Sequence, residues 1–321
     1  MKSILYLVIP CYNEEAVLHE TARRLLEKIN TMIKKEIISN DSRILFVNDG
    51  SKDKTWKLIE EFHIQNNIFS GINLSRNRGH QNALLAGLMT AREFADVTIS
   101  LDADLQDDVD VIDKFVEQYY DGSDIVYGVR SSRQMDTFFK RTTALVFYKI
   151  MSILGVDMIY NHADYRLMST RALEGLSQFK EVNLFLRGMV PLIGYKYSIV
   201  EYERHERFAG ESKYPLKKMI AFALDGITSF SIKPIRIITE IGFIIFFISI
   251  IALVYSIVVN FLGYTITGWT SLTLSIWTLG GIQILSLGVI GEYIGKIYSE
   301  TKQRPKFIIS DKLVDNNKNH E

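Results

Sequence analysis

Short runs of apolar residues alternate with longer mixed segments over residues 1–130. Five strands are predicted, at Ile4–Ile9, Ile44–Val47, Ser70–Leu74, Val97–Leu101 and Ile125–Tyr127. Four helices are predicted between them, at Glu14–Lys34, Lys54–Gln65, His80–Phe94 and Val109–Tyr120. Regular alternation of strands and helices predicts an α/β fold, in which a mostly parallel sheet is covered on both faces.

A second pattern begins late in the chain. The 51 residues between Glu240 and Glu292 contain no Asp, Glu, Lys or Arg, which is enough for two membrane spans and a turn. We place these transmembrane helices near Ile241–Leu262 and Thr270–Gly291. A buried hairpin in a soluble protein is the alternative, but residues 244–259 have almost no polar face.

The charges that flank these spans predict their orientation. Basic residues lie on both outer sides, at Lys217, Lys218, Lys233, Arg236, Lys296, Lys302, Arg304 and Lys306. The loop between the spans has no positive charge, so both termini and the N-terminal domain are expected to be cytoplasmic. The chain is therefore predicted to be a multi-pass protein of the cell membrane.

The segment before the spans, Tyr214–Phe230, mixes lysines with many apolar residues. It is predicted to be an amphipathic juxtamembrane helix on the membrane surface, although an ordinary helix packed on the soluble domain would show the same pattern. The predicted organisation is a catalytic domain at 1–213, a juxtamembrane region at 214–236, a transmembrane hairpin at 237–296 and a cytoplasmic tail at 297–321.

Composition adds little until the charges are mapped along the chain. Lys plus Arg equals Asp plus Glu, but residues 1–132 have a formal charge of −6 and residues 133–236 have +6. This asymmetry favours cation binding by the first part and binding of anions or of a membrane surface by the second. The alternative is that the two charged surfaces are simply solvated. The lone cysteine, Cys11, excludes an intramolecular disulfide.

Three polar clusters follow predicted strands, at Pro10–Glu15, Asn48–Ser51 and Asp102–Asp107. Ligands bind at the carboxyl ends of the strands in such a sheet. If the third cluster is extended, Asp102, Asp104 and Gln106 face one side and suit Mg²⁺ or Mn²⁺ bridging a diphosphate. The adjacent aspartates are assigned to the N-terminus of the following helix, namely Asp107, Asp108 and Asp110. Glycine-rich dinucleotide and P-loop signatures are absent from the sequence.

Together these clusters resemble the GT-A fold of family 2 glycosyltransferases, which is Rossmann-like. The run from His162 to Met168 and the two C-terminal spans narrow the resemblance to polyprenyl-phosphate glycosyltransferases, which include dolichyl-phosphate mannose synthase and the bactoprenol glucosyltransferases. The resemblance covers about residues 4–300. It implies a metal-dependent enzyme that transfers a sugar with inversion from a nucleotide-sugar to polyprenyl (undecaprenyl) phosphate for cell-envelope glycosylation.

The resemblance also implies roles for individual residues. The residues expected to bind the nucleotide are Pro10, Tyr12, Glu14, Asp49 and Asp102. The expected metal ligands are Asp102, Asp104 and Gln106, and the catalytic residues are Asp104 and Asp164. Asp164 matches the base or the acceptor-orienting carboxylate, with Asp157 as the alternative. Basic residues suited to the acceptor phosphate are Arg130, Arg133, Arg204, Arg207 and Lys213, which attraction to the membrane surface would also explain.

The donor is expected to be UDP-glucose or a UDP-N-acetylhexosamine. A processive polysaccharide synthase is disfavoured because none of Trp56, Trp269 and Trp277 follows an arginine. A different lipid acceptor, or a non-catalytic scaffold for a flippase, remains an alternative. Expected partners are the donor, the polyprenyl phosphate and the bilayer. A second copy of the chain, a flippase and a downstream glycosyltransferase stay open, and no nucleic acid is expected.

Overall fold

An eight-stranded sheet forms the first of two compact units. The computed structural model describes residues 2–131, 162–182, 184–203, 233–262 and 268–314. The strands are β1 (Leu5–Cys11), β2 (Arg43–Asn48), β3 (Phe69–Leu74), β4 (Val97–Ser100), β5 (Ile125–Arg130), β6 (His162–Ser169), β7 (Tyr197–Tyr202) and β8 (Ile309–Leu313). Their order in the sheet is β7-β5-β6-β4-β1-β2-β3-β8.

Helices pack on both faces of this sheet. The helices of the first unit are α1 (Leu18–Lys34), α2 (Thr55–Gln65), α3 (His80–Ala91), α4 (Ile112–Tyr120), α5 (Thr170–Ser177) and α6 (Leu186–Leu192). Leu7 and Ile9 of β1 share one apolar cluster with residues of α1, α2 and α4. Between them, Val8 faces the other way, towards α3. The predicted coverage of both faces is therefore confirmed.

Close packing of α3 explains a glycine in the middle of that helix. A Cβ added at Gly87 would lie 2.4 Å from Val8 Cγ1 and 2.6 Å from Val47 Cγ2, so a larger residue would push the helix off the sheet. All seven residues of β1 are buried, which explains the continuous apolar run at the start of the chain. This packing holds the first residue of α3, His80, at the carboxyl edge of the sheet.

Most of the sheet is parallel, as predicted. β1 is parallel to β2 and β4, β2 to β3, and β5 to β7, whereas β6 is antiparallel to β4 and β5. The five predicted strands are present, and β4 ends one residue early. Strands β6, β7 and β8 lie after residue 131 and were not predicted. Because β6 runs antiparallel, Arg166 lies opposite Ser100, the last residue of β4, and the first residues of β6 extend beyond it, at the edge where the parallel strands end.

Two helix starts differ from the prediction for local reasons. α1 begins at Leu18 rather than Glu14, since Asn13 has a φ of 55° and residues 12–17 form a loop bonded to the loop after β2. The fourth predicted helix begins as a 3-10 turn, Val109–Val111, and continues as α4. Asp108 caps that turn by accepting a hydrogen bond from the amide of Asp110 at 2.8 Å, which agrees with its assignment to a helix N-terminus.

The second unit holds two long helices, α7 (Lys233–Phe261) and α8 (Trp269–Thr301). They include nearly all of the two predicted spans. Within the described residues, one stretch, Thr278–Thr301, is long and apolar enough to cross a membrane, on length and composition alone. The two-span topology stays a prediction. The predicted juxtamembrane helix at 214–230 lies outside the described residues, as do Arg133, Asp157, Arg204, Arg207 and Lys213.

Candidate active site

The loops that follow β1 and β2 are hydrogen-bonded to each other at the carboxyl edge of the sheet. The amide of Asn13 donates to Ser51 Oγ at 3.0 Å, and the amide of Lys52 donates to Asn13 Oδ1 at 2.9 Å. The amide of Glu14 donates to Thr55 Oγ1 at 2.9 Å. These bonds leave Tyr12 and Glu14 half-buried in the loop, whereas Pro10 is buried within β1. The first two are the better placed of these three for contact with a nucleoside.

Asp49 holds the turn that leads into α3. Its Oδ1 accepts a hydrogen bond from the amide of Arg78 at 2.7 Å, and its Oδ2 accepts one from the amide of Gly79 at 2.9 Å. Burial raises the pKa of the Asp49 carboxyl, and the two amide donors act in the opposite direction. The side chain is almost fully buried, which gives Asp49 a structural task beside the nucleoside contact predicted for it.

Gly50 allows this turn to cross over the loop after β2. Its φ is +62°, and a Cβ there would lie 2.4 Å from the backbone nitrogen of Asn77. No side chain fits between these two backbones. The loops after β1, β2 and β3 are therefore linked as one surface.

The segment Asp102–Asp107 is a turn rather than the extended strand assumed from the sequence, since Leu105 has a φ of 58°. Burial still alternates along it: Asp102, Asp104 and Gln106 are half-buried, whereas the residues between them are buried. The carbonyl of Ala103 accepts a hydrogen bond from Thr21 Oγ1 of α1 at 2.7 Å. The hydrogen bond to α1 therefore fixes the inner side of the turn, and the three candidate ligands Asp102, Asp104 and Gln106 lie on its outer side.

Asp164 lies beside this turn because β6 pairs with the end of β4. Ser100 Oγ, on the last residue of β4, donates to the carbonyl of Asp164 at 2.5 Å. The Asp164 carboxylate binds Arg187 of α6 through two hydrogen bonds, from Nε at 3.1 Å and from an Nη nitrogen at 3.0 Å. Its side chain is 10% exposed.

His80 stands between two carboxylates of this group. Its Nε2 is 3.6 Å from Asp164 Oδ2 and 3.7 Å from Asp102 Oδ1. Burial opposes protonation of the ring, but the contact with Asp164 and the charge of Asp102 outweigh it and raise the pKa of His80 to about 9. A third cation, the buried guanidinium of Arg166, lies 3.9 Å from Asp164 Oδ1.

The cations around Asp164 keep it ionised. Burial acts to raise the pKa of this carboxyl, but the charge of Arg187 and the contact with His80 hold that pKa well below its ordinary value. A carboxylate in this state is a poor proton acceptor at neutral pH. The geometry suits an orienting role for Asp164 better than the role of a general base.

A separate polar group lies at the end of β5. Asp107 is buried and accepts a hydrogen bond from the hydroxyl of Tyr202 at 2.7 Å, so it does not face the start of α4 as the sequence suggested. Burial, with the charge of Asp102, raises the pKa of Asp107 to about 6, while Arg130 acts to lower it. Among the described residues, Arg130 is the one member of the predicted acceptor-phosphate set. Its positive charge acts to lower the pKa of both Asp107 and Tyr202.

The residues present fit a divalent cation that a substrate would share. Desolvation raises the pKa of Asp102; His80 acts against this, and the negative charges of Asp164 and Asp104 add to it. A bound cation would relieve that repulsion. Across the described parts of the chain, no three Asp, Glu, His or Cys side chains form a metal site of their own. Two carboxylates and an amide that leave positions for phosphate oxygens are typical of Mg²⁺ sites in nucleotide enzymes.

Sequence reasoning missed Arg187 and gave His80 no role. The signal for Arg187 is a single charge inside an apolar stretch, between Phe185-Leu186 and Gly188-Met189. An arginine inside a segment expected to be buried needs a carboxylate partner, but the pattern does not say which one. For His80 the signal is its position at the start of α3, beyond the end of β3.

Comparison with known proteins shows the family to which this chain belongs. The family model described as glycosyl transferase family 2 matches residues 6–176, which is more than half of the chain. The chain belongs to this family, and the predicted resemblance is confirmed. A second family model, described as the GtrB C-terminal hairpin, matches residues 233–297.

Several relatives match along nearly the whole chain. An uncharacterized glycosyltransferase YkoT of Bacillus subtilis (strain 168) is 55% identical over 95% of this chain and 91% of its own length. A prophage bactoprenol glucosyl transferase homolog of Escherichia coli (strain K12) is 40% identical over 94% of this chain and 97% of its own. A bactoprenol glucosyl transferase of Shigella phage SfV is 39% identical, with coverage of 95% and 97%.

Proposed function

We propose that this protein transfers a sugar from a nucleotide-sugar to a polyprenyl phosphate at the cytoplasmic face of the cell membrane, with inversion at the anomeric carbon. The observation that carries the proposal is the grouping of Asp102, Asp104 and Asp164 at the carboxyl edge of the sheet. The acceptor is supported by similarity to proteins named bactoprenol glucosyl transferases, which extends through the C-terminal hairpin.

Three side chains would hold the divalent ion together with the donor diphosphate: Asp102, Asp104 and Gln106. When bound, Mg²⁺ or Mn²⁺ supplies positive charge that stabilises the departing nucleoside diphosphate. Tyr12 and Glu14 would contact the nucleoside from the linked loops after β1 and β2, and the turn bound by Asp49 would form part of the same surface. Because glucosyl transferases are among the relatives, UDP-glucose is the first donor to test.

The acceptor needs little help from a base. A phosphate monoester has its second pKa near 6, so at neutral pH its oxygen is already mostly ionised. Asp164, held by Arg187, would orient the acceptor and the cations around it while the phosphate oxygen attacks the anomeric carbon from the face opposite the leaving group. Arg130, Arg133, Arg204, Arg207 and Lys213 are the proposed partners of that phosphate, since arginine binds phosphate bidentately.

The membrane supplies the acceptor. We propose that α7 and α8 cross the bilayer as a hairpin with both ends cytoplasmic, as the flanking lysines and arginines predict. The match of the hairpin family model over residues 233–297 supports this topology. Such an anchor keeps the catalytic domain at the surface where polyprenyl phosphate groups are displayed.

The test is sugar transfer from labelled UDP- and GDP-sugars to undecaprenyl phosphate by the full-length protein in detergent, with Mg²⁺ or Mn²⁺. We expect a chloroform-soluble labelled product from one donor, and its loss with EDTA. Asp104→Asn should lower kcat more than about 100-fold, since several kcal/mol of charge stabilisation is lost. Asp110→Asn is the matched control, because that aspartate is close in sequence but its side chain is 94% exposed.

Two results would overturn the proposal. Protein that is folded and binds nucleotide, yet yields no lipid-linked sugar with any donor, would exclude the polyprenyl phosphate acceptor. Normal sugar transfer by Asp104→Asn would show that the proposed assignment of the metal ligands is wrong.

A further inference from the structure

The C-terminal strand β8 is joined to the edge of the catalytic sheet. It runs antiparallel to β3, with Asn73 opposite Asp311 and Gly71 opposite Leu313. The amide of Ser75 donates to the carbonyl of Ile308 at 2.9 Å, which extends the pairing into the loop after β3. This strand follows α8 in the chain, so the sheet is completed by residues beyond the helical hairpin.

A chain of side-chain hydrogen bonds runs from β8 to the loops proposed to bind nucleotide. Asp311 Oδ2 accepts from Asn73 Nδ2 at 2.9 Å, and Asn73 Oδ1 accepts from Asn48 Nδ2 at 2.7 Å. Asn48 Oδ1 accepts from the amide of Ser51 at 3.3 Å, and Ser51 Oγ accepts from the amide of Asn13 at 3.0 Å. We call these five residues the Asp311 relay.

The direction of the relay depends on its first member. An ionised carboxylate only accepts hydrogen bonds, so Asp311 requires Asn73 to present its NH₂ group. The Asn73 oxygen must then face Asn48, whose NH₂ group donates to it, and the Asn48 oxygen is left to accept from Ser51. Without a carboxylate at position 311, only the hydrogen bond from Asn48 Nδ2 holds the amide of Asn73 in this orientation.

Burial makes this orientation matter at Asn48. Asn48 is 2% exposed, so water cannot easily replace a lost partner. An inverted Asn73 amide would place two NH₂ groups against each other and leave Asn48 Nδ2 unsatisfied, which is costly for a buried polar group. The position of the Ser51 amide, and through Ser51 that of Asn13, is therefore linked to the residue at 311.

We propose that β8 is a working part of the donor-nucleotide site, in which Asp311 is a positioning residue that sets the loops Asn48–Ser51 and 12–15 through Asn73 and Asn48. The inference rests on the proposed function, which assigns those loops to the nucleotide. It extends that function, because it makes the strand after the hairpin necessary for full donor affinity.

The test is the binding of UDP and GDP, each with Mg²⁺, to the full-length protein by calorimetry, together with KM and kcat for the donor that is active. Asp311→Ala removes the acceptor of two hydrogen bonds, from Asn73 Nδ2 and from Ser310 Oγ, and with the first of them the constraint on the relay. We expect nucleotide affinity to fall about two- to tenfold and KM to rise by the same factor, with kcat unchanged. Lys312→Ala, at the next position of β8 and also exposed, should bind as the wild type does.

A swapped pair separates positioning from general damage to the strand. Asn73→Asp alone sets two carboxylates about 3 Å apart and should weaken binding, because like charges at this distance repel. Adding Asp311→Asn restores the order, since the new amide at position 311 donates to the new carboxylate at position 73, which still accepts from Asn48. We expect the double variant to recover nucleotide affinity to within about twofold of the wild type.

Unchanged affinity in Asp311→Ala, or a double variant no better than Asn73→Asp alone, would overturn the inference and leave the proposed function intact. A thermal midpoint that falls in Asp311→Ala while affinity holds would also overturn it, since β8 would then be only structural. Wild-type protein that binds neither nucleotide would overturn the proposed function itself, and the inference with it.

Discussion

Replacing Arg187 by glutamine tests the carboxylate cluster most directly. In the wild-type protein Arg187 makes two hydrogen bonds to Asp164, at 3.1 and 3.0 Å, and the Asp164 side chain is 10% exposed. Glutamine keeps a polar side chain of moderate length but removes the charge and the planar fork. Asp164 then loses its main partner and gains little water in exchange.

The magnitude follows from what remains around Asp164. Removing one partner of a buried ion pair costs about 3 to 5 kcal/mol. His80 and Arg166 stay within 3.6 and 3.9 Å of the carboxylate, and Arg187 is itself 30% exposed, so we expect a smaller cost than this, about 2 to 3 kcal/mol. If that free energy positions the reacting groups, kcat falls roughly 30- to 150-fold.

The assay is sugar transfer under saturating donor, with nucleotide binding and thermal unfolding measured on the same preparation. We expect kcat to fall while the affinity for the nucleotide changes less than about threefold, because Arg187 contacts Asp164 rather than the loops after β1 and β2. Arg187→Lys keeps the charge without the bidentate geometry and should recover only part of the loss. Arg171→Gln is the control, because Arg171 is exposed and lies 3.6 Å from Asp124, away from the cluster.

A kcat for Arg187→Gln within about threefold of the wild type would refute the reasoning, provided that Asp164→Asn is impaired. That pair of results would mean that Asp164 acts without its arginine. A fall in kcat that is matched by Arg171→Gln would also refute it, since the loss would then be a general effect of removing positive charge.

Two further predictions concern the stability of the loops and of the cluster. The pKa of His80 is raised to about 9, so its pairing with Asp164 contributes stability that is fully present below the unfolded pKa of about 6.5 and is lost as pH rises through about 9. The difference in thermal midpoint between wild type and His80→Gln should shrink between pH 6 and pH 9.5, and a constant difference would contradict the pairing. Gly50→Ala should destabilise the protein and weaken nucleotide binding, because its Cβ would clash with Asn77 at 2.4 Å. Gly122→Ala, where φ is +88° and the nearest other atom is 3.6 Å away, measures the backbone cost alone and should be milder in calorimetric unfolding and neutral for nucleotide binding.

Local sequence patterns were sufficient to predict the strands in the first half of the catalytic domain. The five apolar runs up to Tyr127 are strands buried in the sheet. They could be predicted because the side-chain pattern of a strand depends only on residues that are adjacent in sequence. The polar clusters after β1, β2 and β4 could be placed at one edge, since parallel strands share the direction of their carboxyl ends. The start of α1 was misplaced because Asn13 bonds to Ser51, 38 residues away, instead of continuing a helix.

Long-range register decided the rest of the site. Asp164 and Arg187 are 23 residues apart, and Asn73 and Asp311 are 238 apart; no period of 2 or 3.6 residues links positions at such distances. The antiparallel pairing of β6 with β4 brings Asp164 to Asp102, and the pairing of β8 with β3 brings Asp311 to Asn73. The sequence was therefore sufficient to predict the fold class and to propose the metal carboxylates. The cations that surround Asp164, and the residue that ends the chain of hydrogen bonds, became visible only in the folded protein, because those contacts depend on strand pairing across the whole sheet.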